Sequence, residues 1–223
     1  MNTLQIERWR GEFGREYTDR NSLDRMQLDE LYRGNYGVAR SELNARFLAD
    51  IPKDARILEV GCNRGSQLLL LREMGFRNIC GIEIQHYALT QARTLLPGVP
   101  LLEATAFEIP FATGSFDLVF TSGVLIHIAP DQISKAISEI HRCSSRYIWG
   151  LEYHAATVTE VSYRGRSGLL WKADYLGHYL EAFDDLEVVK QESLPYLDNG
   201  NEDCMFLLQK RRSGSRFAGR QEA

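Results

Sequence analysis

The fold is decided by the stretch Ile57-Leu58-Glu59-Val60-Gly61-Cys62-Asn63-Arg64-Gly65, in which a run of apolar residues leads directly into a turn with two glycines. The run is typical of a buried strand, and a helical pattern begins just after it, at Ser66. Glycine adopts backbone angles closed to other residues, and its missing Cβ lets a ligand approach the main chain closely. In an open α/β sheet such a turn lies at the carboxyl end of the first strand, where ligands bind.

The sequence beyond this stretch alternates short apolar runs with longer helical patterns, which is typical of a parallel sheet with crossover helices. We predict strands at 56–60, 79–83, 99–103, 116–121, 147–151, 186–191 and 204–210, and helices at 66–74, 86–95, 133–143 and 169–183. Asn199-Gly200 marks a turn between the last two strands. The predicted class is α/β, a Rossmann-like seven-stranded sheet with an antiparallel C-terminal strand.

The flanks suggest the domain organisation. Residues 1–50 have mainly helical patterns and are predicted to form an N-terminal cap or lid over a single domain at 51–210. Residues 211–223 place four arginines among small residues and are predicted to form a frayed tail. The tail is interpreted either as a solubilising end or as an anion-binding arm.

Composition excludes several classes of function. The chain has 223 residues, 44% of them hydrophobic, which fits one globular domain. Its net charge of -4 gives no general attraction to nucleic acid. Four widely spaced cysteines without a C-x-x-C pair indicate neither a disulfide framework nor a metal site. The start lacks the apolar region of a signal peptide, and no stretch approaches the length of a membrane span. We therefore expect a cytoplasmic protein without a membrane partner, and the sequence does not indicate its oligomeric state.

An acid at the end of the second predicted strand indicates a ribose site. Glu83 follows Gly61 by roughly the 20 residues that separate a glycine turn from the ribose-binding acid of nucleotide-binding units. A carboxylate can accept hydrogen bonds from both ribose hydroxyls. The alternative is a solvated acid at a strand end.

The glycine spacing indicates which ribose ligand binds. Dinucleotide folds use G-x-G-x-x-G, whereas here Asn63 and Ser66 stand where two of those glycines would fall. A pyrophosphate site would therefore be poorly formed. S-adenosylmethionine carries no phosphate, and Glu59 would lie within reach of its ammonium group.

These residues resemble the motif I of class I S-adenosylmethionine-dependent methyltransferases, D/E-x-G-x-G-x-G, with Asn63 departing at the middle glycine. The segment 108–119, E-I-P-F-A-T-G-S-F-D-L-V, is similar to the L-P-F-x-x-x-S-F-D-x-V run before strand 4 of that family. The resemblance spans residues 55–151 and implies S-adenosylmethionine as cofactor and S-adenosylhomocysteine as product. It implies a cofactor site that contains Glu59, Gly61, Cys62, Asn63, Gly65, Glu83, Ile84, Ala106, Phe107 and Ser122.

Other segments resemble a narrower group, the methylases named for their association with pseudaminic acid biosynthesis. The segments are 9–21 (W-R-G-E-F-G-R-E-Y-T-D-R-N), 123–128 (G-V-L-I-H-I), 142–144, 152–153 and 163–165. This resemblance implies a carbohydrate or cell-surface glycan pathway. Within the first segment, Tyr17 and Arg20 are predicted to cover the cofactor and hold its carboxylate, with an exposed helical ion pair as the alternative.

Candidate catalytic and acceptor residues follow strands 4 and 5. His127 is the candidate general base, because histidine titrates near neutral pH, although it could instead pack against or orient the acceptor. Glu152 and Tyr153 are candidates for catalysis and His154 for acceptor binding, with capping of the strand end as the alternative. Tyr163, Arg164 and Arg166 combine aromatic and cationic groups that would suit an anionic sugar, unless they are merely solvated.

The predicted function is methyl transfer from S-adenosylmethionine to an oxygen or nitrogen of a small polar molecule such as a sugar, a sugar acid or a related anionic metabolite. Two alternatives stay open. Methylation of a macromolecule, RNA or protein, is disfavoured because the segment 121–124 reads T-S-G-V rather than N/D-P-P-Y. The other alternative is a protein that binds the cofactor without catalysis.

Overall fold

A seven-stranded sheet organises the chain in the computed structural model, which describes residues 4–211. The strands are β1 (Arg56–Val60), β2 (Asn78–Glu83), β3 (Leu101–Glu103), β4 (Phe116–Ser122), β5 (Ser144–His154), β6 (Thr159–Glu160), β7 (Trp171–Lys172), β8 (Leu186–Pro195) and β9 (Glu202–Lys210). The large sheet has the order β3-β2-β1-β4-β5-β9-β8, and β6 and β7 form a separate two-stranded ribbon. In the large sheet β9 runs antiparallel to both of its neighbours, β5 and β8, and the other six strands share one direction.

Helices cover both faces and one edge of this sheet. They are α1 (Leu4–Arg10), α2 (Glu12–Arg20), α3 (Arg25–Tyr36), α4 (Arg40–Phe47), α5 (Ser66–Glu73), α6 (His86–Leu95), α7 (Ile133–Cys143) and α8 (Tyr175–Ala182). Helix α7 shows why such segments fold: its buried residues recur at helical spacing and so form one apolar face. Helix α3 begins at a capping box between Asp24 and Gln27.

The core consists of two apolar layers, one on each face of the sheet. In β4, Leu118 and Phe120 belong to one layer and Val119 to the other, since successive side chains of a strand point to opposite faces. Leu43 and Phe47 of α4 pack in the same layer as Ile57 of β1. Parallel strands that are buried on both faces need this double cover.

The predicted α/β class, with its antiparallel C-terminal strand and N-terminal helices, is confirmed. The prediction of one helix over 169–183 is wrong in its first part. Trp171 and Lys172 form β7, paired with β6, and the helix begins only after Asp174, whose carboxylate caps it by accepting the Gly177 N–H at 2.8 Å.

The domain boundary at residue 50 stays a prediction, and 212–223 of the predicted tail lies outside the described residues. No helix in the described part of the chain is both long and apolar enough to span a bilayer.

Close packing between β5 and β9 gives a stability prediction. A Cβ added at Gly150 would lie 2.2 Å from Cζ of Phe206, a residue that is 1% exposed. We expect Gly150→Ala to lower the free energy of unfolding by about 1–3 kcal/mol in urea titrations. The control is Gly34→Ala at an exposed position of α3, where an added Cβ would meet no atom of residues 4–211 within 4 Å apart from the helix's own backbone, and it should raise stability by about 0.5–1 kcal/mol. Equal stability of the Gly150→Ala variant and the parent would contradict this packing.

Candidate functional site

A cavity of about 430 Å³ lies at the carboxyl ends of the parallel strands, beneath the N-terminal helices. Its wall contains residues from the ends of β1, β2, β4 and β5 and from α1, α2 and α3. The strand order reverses between β1 and β4, and open α/β sheets bind their ligands at such a switch point.

The turn after β1 has a backbone that few residue types can adopt. Gly61 has φ 74° and Gly65 φ 84°, and a Cβ at Gly61 would lie 2.7 Å from Cγ2 of Val124. Asn63, the residue that departs from the glycine motif, also has a left-handed φ of 47°. Asparagine tolerates this region better than most residues. Its Oδ1 accepts the Arg64 N–H at 2.7 Å, so Asn63 forms the same turn that glycine would.

Glu83 is a rigid carboxylate on the cavity wall. It is 8% exposed, and its two oxygens accept backbone N–H groups of Asn63, Ile84 and Gln85, each at 2.8 Å. Burial raises the pKa of Glu83, and these three hydrogen bonds oppose that rise. Since each carboxylate oxygen can accept two hydrogen bonds, Oε1 is fully used by Ile84 and Gln85, and Oε2 can still accept one hydrogen bond from a ligand hydroxyl.

Glu59 is the second buried carboxylate on the wall, and it is 3% exposed. Its Oε2 has no hydrogen-bond partner among the described residues. Burial raises the pKa of Glu59 well above its usual value, while the nearby Arg40 opposes the rise. A buried acceptor without a partner is costly, so the site fits a ligand that brings a cation or an N–H donor.

Arg40 is a buried cation close to the site that the sequence analysis missed. It is fully buried, donates from Nε to Asn44 Oδ1 and from Nη1 to the Tyr32 hydroxyl, both at 2.9 Å, and lies 5.4 Å from the ring centre of Trp149. It supplies positive charge behind Glu59. Nothing in the pattern of α4 distinguishes this arginine from a surface one.

Helices α1 and α2 form a lid that is bonded to the sheet edge. The side-chain amide of Gln85 donates to the carbonyls of Trp9, Arg10 and Gly11 at 3.0, 2.8 and 2.9 Å. The side-chain amide of Gln5 donates to the His127 carbonyl, and its Oε1 accepts the Ala129 N–H at 3.2 Å. The lid is therefore anchored both beside Glu83 and beside the loop after β4.

The two lid residues singled out from the sequence occupy different places. Tyr17 lies on the cavity wall, and burial raises the pKa of its phenol. Arg20 is not on the wall; its Nη1 pairs with Glu16 at 3.5 Å, and its Nε and Nη2 are buried with no hydrogen-bond partner among residues 4–211. The role of Arg20 in holding a ligand carboxylate stays a prediction.

His127 lies on the wall with a defined tautomer. Its Nδ1 is 2.8 Å from the Leu169 carbonyl oxygen, which can only accept, so Nδ1 carries the proton and Nε2 is an acceptor. The rings of Trp9, Tyr17 and Tyr163 surround it, with centroids at 4.5, 5.8 and 5.8 Å. Burial lowers the pKa of His127 to about 4, which keeps the imidazole neutral.

Glu152 is not on the cavity wall, contrary to what a catalytic role requires. It is 2% exposed, and its Oε2 accepts the N–H groups of Val124 at 3.0 Å and Ile126 at 3.4 Å. Burial raises the pKa of Glu152 to about 7, and a hydrogen bond from Thr121 opposes the rise. Glu152 thus positions the loop that carries His127. Its neighbour Tyr153 does lie on the wall.

The four residues expected to bind the acceptor do not line the cavity. His154 faces Glu202 at 3.7 Å, and Arg166 lies 5.3 Å from the ring centre of Phe13. Arg164 is exposed at a φ of 52°, and Tyr163 contacts the ring of His127 from outside the wall. Three residues the sequence analysis missed stand on the wall instead: Tyr36, Tyr196 and Asp203.

Most of the predicted cofactor residues do meet in this one cavity. Those on its wall are Tyr17, Glu59, Gly61, Cys62, Asn63, Glu83, Ile84, Ala106, Phe107 and Ser122. Gly65 is not on the wall; it forms the turn that begins α5. Among residues 4–211, no group of histidine, cysteine or acidic side chains has the arrangement of a metal site.

A cavity at the switch point of a seven-stranded sheet, with a fixed acid at the end of β2, is the arrangement of a Rossmann-like nucleotide-binding fold. Residues 58–146, less than half of the chain, match the family described as Methyltransferase domain. An uncharacterized methyltransferase of Synechocystis is 31% identical over 87 residues, and an uncharacterized protein of Haemophilus influenzae is 30% identical over 96. The alignments cover 39% and 40% of this chain and 41% and 38% of those proteins, so the chain spans about two fifths of their length.

Solved structures share the fold at low sequence identity. The 1,6-didemethyltoxoflavin-N1-methyltransferase of Burkholderia thailandensis, with bound 1,6-didemethyltoxoflavin and S-adenosylhomocysteine, has a TM-score of 0.70 at 16% identity, over 95% of this chain and 92% of its own. The magnesium protoporphyrin IX methyltransferase of Synechocystis, with bound S-adenosylmethionine, has a TM-score of 0.65 at 14% identity, over 94% and 98%. A 4+2 cyclase has a TM-score of 0.61 at 15% identity, over 77% and 79%. The fold and the matched domain support the predicted class, whereas the narrower resemblance to pseudaminic acid-associated methylases stays a prediction.

The buried neutral His127 gives a prediction on pH and stability. Its pKa falls from 6.5 in the unfolded chain to about 4 in the folded one, so the unfolded chain binds more protons between these values. The free energy of unfolding therefore gains from His127 as pH rises from 4 to 6.5. Relative to His127→Asn, the parent should gain up to roughly 3 kcal/mol across this window in urea titrations. A stability difference that does not change with pH would contradict the burial of a neutral imidazole.

Proposed function

We propose that this chain transfers a methyl group from S-adenosylmethionine to an oxygen or nitrogen of a small polar molecule, with S-adenosylhomocysteine as the second product. The observation that carries the proposal is the pair of buried acids on one wall, Glu83 fixed by backbone N–H groups and Glu59 with an oxygen that lacks a partner. A diol and an ammonium group at the two ends of one ligand would satisfy both.

The residues present fit the cofactor. Glu83 would accept a hydrogen bond from a ribose hydroxyl through Oε2, Ala106 and Phe107 would lie along the adenine, and Glu59 would hold the ammonium group. When bound, the cofactor supplies a methyl group on a positively charged sulfur. Three carboxylates on the wall suit a positively charged ligand and disfavour a pyrophosphate.

The chain's own groups would align the acceptor and keep water out. The lid of α1 and α2 covers the cavity, and its bonds to Gln85 and to the loop after β4 fix it in place. Displacement at carbon depends mainly on alignment, which such a closed cavity supplies. His127 Nε2 is a neutral acceptor that can take up the proton of the acceptor hydroxyl or amine as the new bond to the methyl carbon makes that group acidic.

A cavity of about 430 Å³ under a bonded lid favours a small acceptor over RNA or protein. Sugars and sugar acids fall within this size class, and the narrower sequence resemblance also favours a carbohydrate. All four cysteines are free and buried, which suits the reducing cytoplasm as the place of the reaction. The direct test is release of S-adenosylhomocysteine by the purified protein with a small-molecule extract. Release only with RNA or protein would reject the small-molecule acceptor.

Glu83 provides the test of cofactor binding. Glu83→Ala should raise the dissociation constant of S-adenosylhomocysteine at least tenfold in calorimetry, because a charge-assisted hydrogen bond of ~1.5–3 kcal/mol is lost. Glu83→Gln, which keeps one acceptor oxygen, should have an intermediate effect. The control is Glu103 of β3, which pairs in register with Glu83 but does not line the cavity. The Glu103→Gln variant should therefore bind S-adenosylhomocysteine with the parent affinity. Normal affinity of Glu83→Ala would reject the ribose assignment.

His127 provides the test of the proton acceptor. His127→Asn should lower turnover by about two orders of magnitude with the labelled methyl donor, since general base catalysis contributes factors of about 100 to 10,000. Its affinity for S-adenosylhomocysteine should stay within about twofold of the parent value, because the predicted ribose and ammonium contacts are elsewhere. Parental turnover would remove His127 from this role and leave it as a packing residue.

A further inference from the structure

We infer that the end of the cavity between β5 and β9 is the acceptor subsite, and that Asp203 there binds the N–H or O–H group of a neutral or positively charged acceptor. This inference rests on the proposed function and deepens it. It departs from the anionic class of acceptor, because the residues that suggested an anion, Arg164 and Arg166, lie outside the cavity wall.

Glu83 and Asp203 mark opposite ends of the cavity. Glu83 ends β2, and Asp203 pairs in register with Tyr153 at the carboxyl end of β5. In the order β2-β1-β4-β5-β9 the two acids stand on strands four positions apart. Neighbouring strands lie about 4.8 Å apart, so the separation across the sheet is roughly 19 Å. A cofactor that occupies β2 and β1 thus leaves the end at β5 and β9 for the acceptor.

The charges on the wall favour a neutral or cationic molecule at this end. The wall contains three carboxylates, Glu59, Glu83 and Asp203, whereas Arg64 is the one lysine or arginine on it within residues 4–211. Arg64 follows Asn63 at the cofactor end, and its Nη1 donates to the Ser22 hydroxyl. An anionic acceptor would therefore meet a carboxylate at Asp203 with no cation on the wall nearby.

Lys172 is a cation near this end, and it is already engaged. Its Nζ lies 4.4 Å from the ring centre of Tyr153 and donates to the side chain of Asn201. Tyr153 lines the cavity, whereas Lys172 does not. Burial raises the pKa of Asp203, and the hydrogen bond from Tyr36 and the charges of Arg40 and Lys172, neither of which is on the wall, oppose that rise.

Asp203 is held in place by a tyrosine hydroxyl. It is 9% exposed, and its Oδ2 accepts a hydrogen bond of 2.6 Å from the Tyr36 hydroxyl. A carboxylate has about four lone-pair positions, so a carboxylate that lines the cavity and holds this one bond can also accept a ligand N–H or O–H.

Four tyrosines surround this carboxylate. Tyr36 lies 5.2 Å from Tyr32 and 4.8 Å from Tyr196, and Tyr196 lies 5.8 Å from Tyr153, measured between ring centroids. All four line the cavity. Aromatic faces attract cations and pack against apolar C–H surfaces, while phenol hydroxyls bond polar groups. An amine or a neutral polyhydroxylated ring meets both requirements.

The experiment separates acceptors by charge. A small-molecule extract is divided on ion exchangers into cationic, neutral and anionic fractions, and each is incubated with the full-length protein and radiolabelled S-adenosylmethionine. We expect labelled product from the cationic or the neutral fraction. With that fraction Asp203→Asn should lose at least tenfold in kcat/KM, while its affinity for S-adenosylhomocysteine stays within about twofold of the parent value.

Matched variants separate the carboxylate from general structure. Tyr36→Phe removes the bond to Oδ2 but keeps the carboxylate, so it should lose less activity than Asp203→Asn. Asp198→Asn removes an exposed acid from the preceding loop and should behave as the parent. Product from the anionic fraction alone, product from no fraction, or parental kcat/KM in Asp203→Asn would each overturn the inference. Failure of the parent to bind S-adenosylhomocysteine would instead reject the proposed function itself.

Discussion

Burial of carboxylates at the ends of the strands is the constraint on which the rest of the site depends. Glu83 on β2 and Glu152 on β5 are each less than a tenth exposed, and each binds backbone N–H groups of a neighbouring loop. A buried charge is tolerated only where hydrogen bonds replace the lost water. The loops must therefore adopt the conformations that present those N–H groups. Glu83 thereby fixes the turn after β1, and Glu152 fixes the loop that carries His127.

Hydrogen bonds of the lid connect the N-terminal helices to the loops that the buried carboxylates hold. Gln85, two residues after Glu83, bonds three carbonyls at the end of α1, and Gln5 bonds the loop beside His127. These two contacts connect the lid to the loops that the two carboxylates hold. A ligand that binds Glu83 would thus be enclosed by elements that already depend on that acid. Because the lid covers the cavity, ligand exchange requires some of these bonds to open.

The sequence predicts the sheet well because each strand is a short apolar run between turn residues. It predicts a site at the ends of β1 and β2 because Gly61 and Glu83 have the spacing that separates a glycine turn from a ribose-binding acid. It mispredicts the start of α8, since Leu169 and Trp171 continue an apolar periodicity through a stretch that pairs as a strand. No sequence pattern singles out Asp203, because an acid at the start of a strand is usually just solvated. Its position opposite Tyr36 depends on the packing of α3 against β9, which no local pattern records.

The charge of the cavity constrains where catalysis can come from. Carboxylates near a sulfonium would stabilise the positively charged cofactor more than the neutral product, so they favour binding over reaction. Their distribution matters for this reason: in the proposed arrangement Glu59 and Glu83 stand at the cofactor end and Asp203 at the acceptor end. The group nearest to the proposed chemistry, His127, is neutral, with its proton fixed on Nδ1 by Leu169. In the proposed reaction, rate enhancement would arise from alignment under the lid and from proton acceptance at Nε2, while the acids would hold the far ends of the two reactants so that their reacting atoms meet between them.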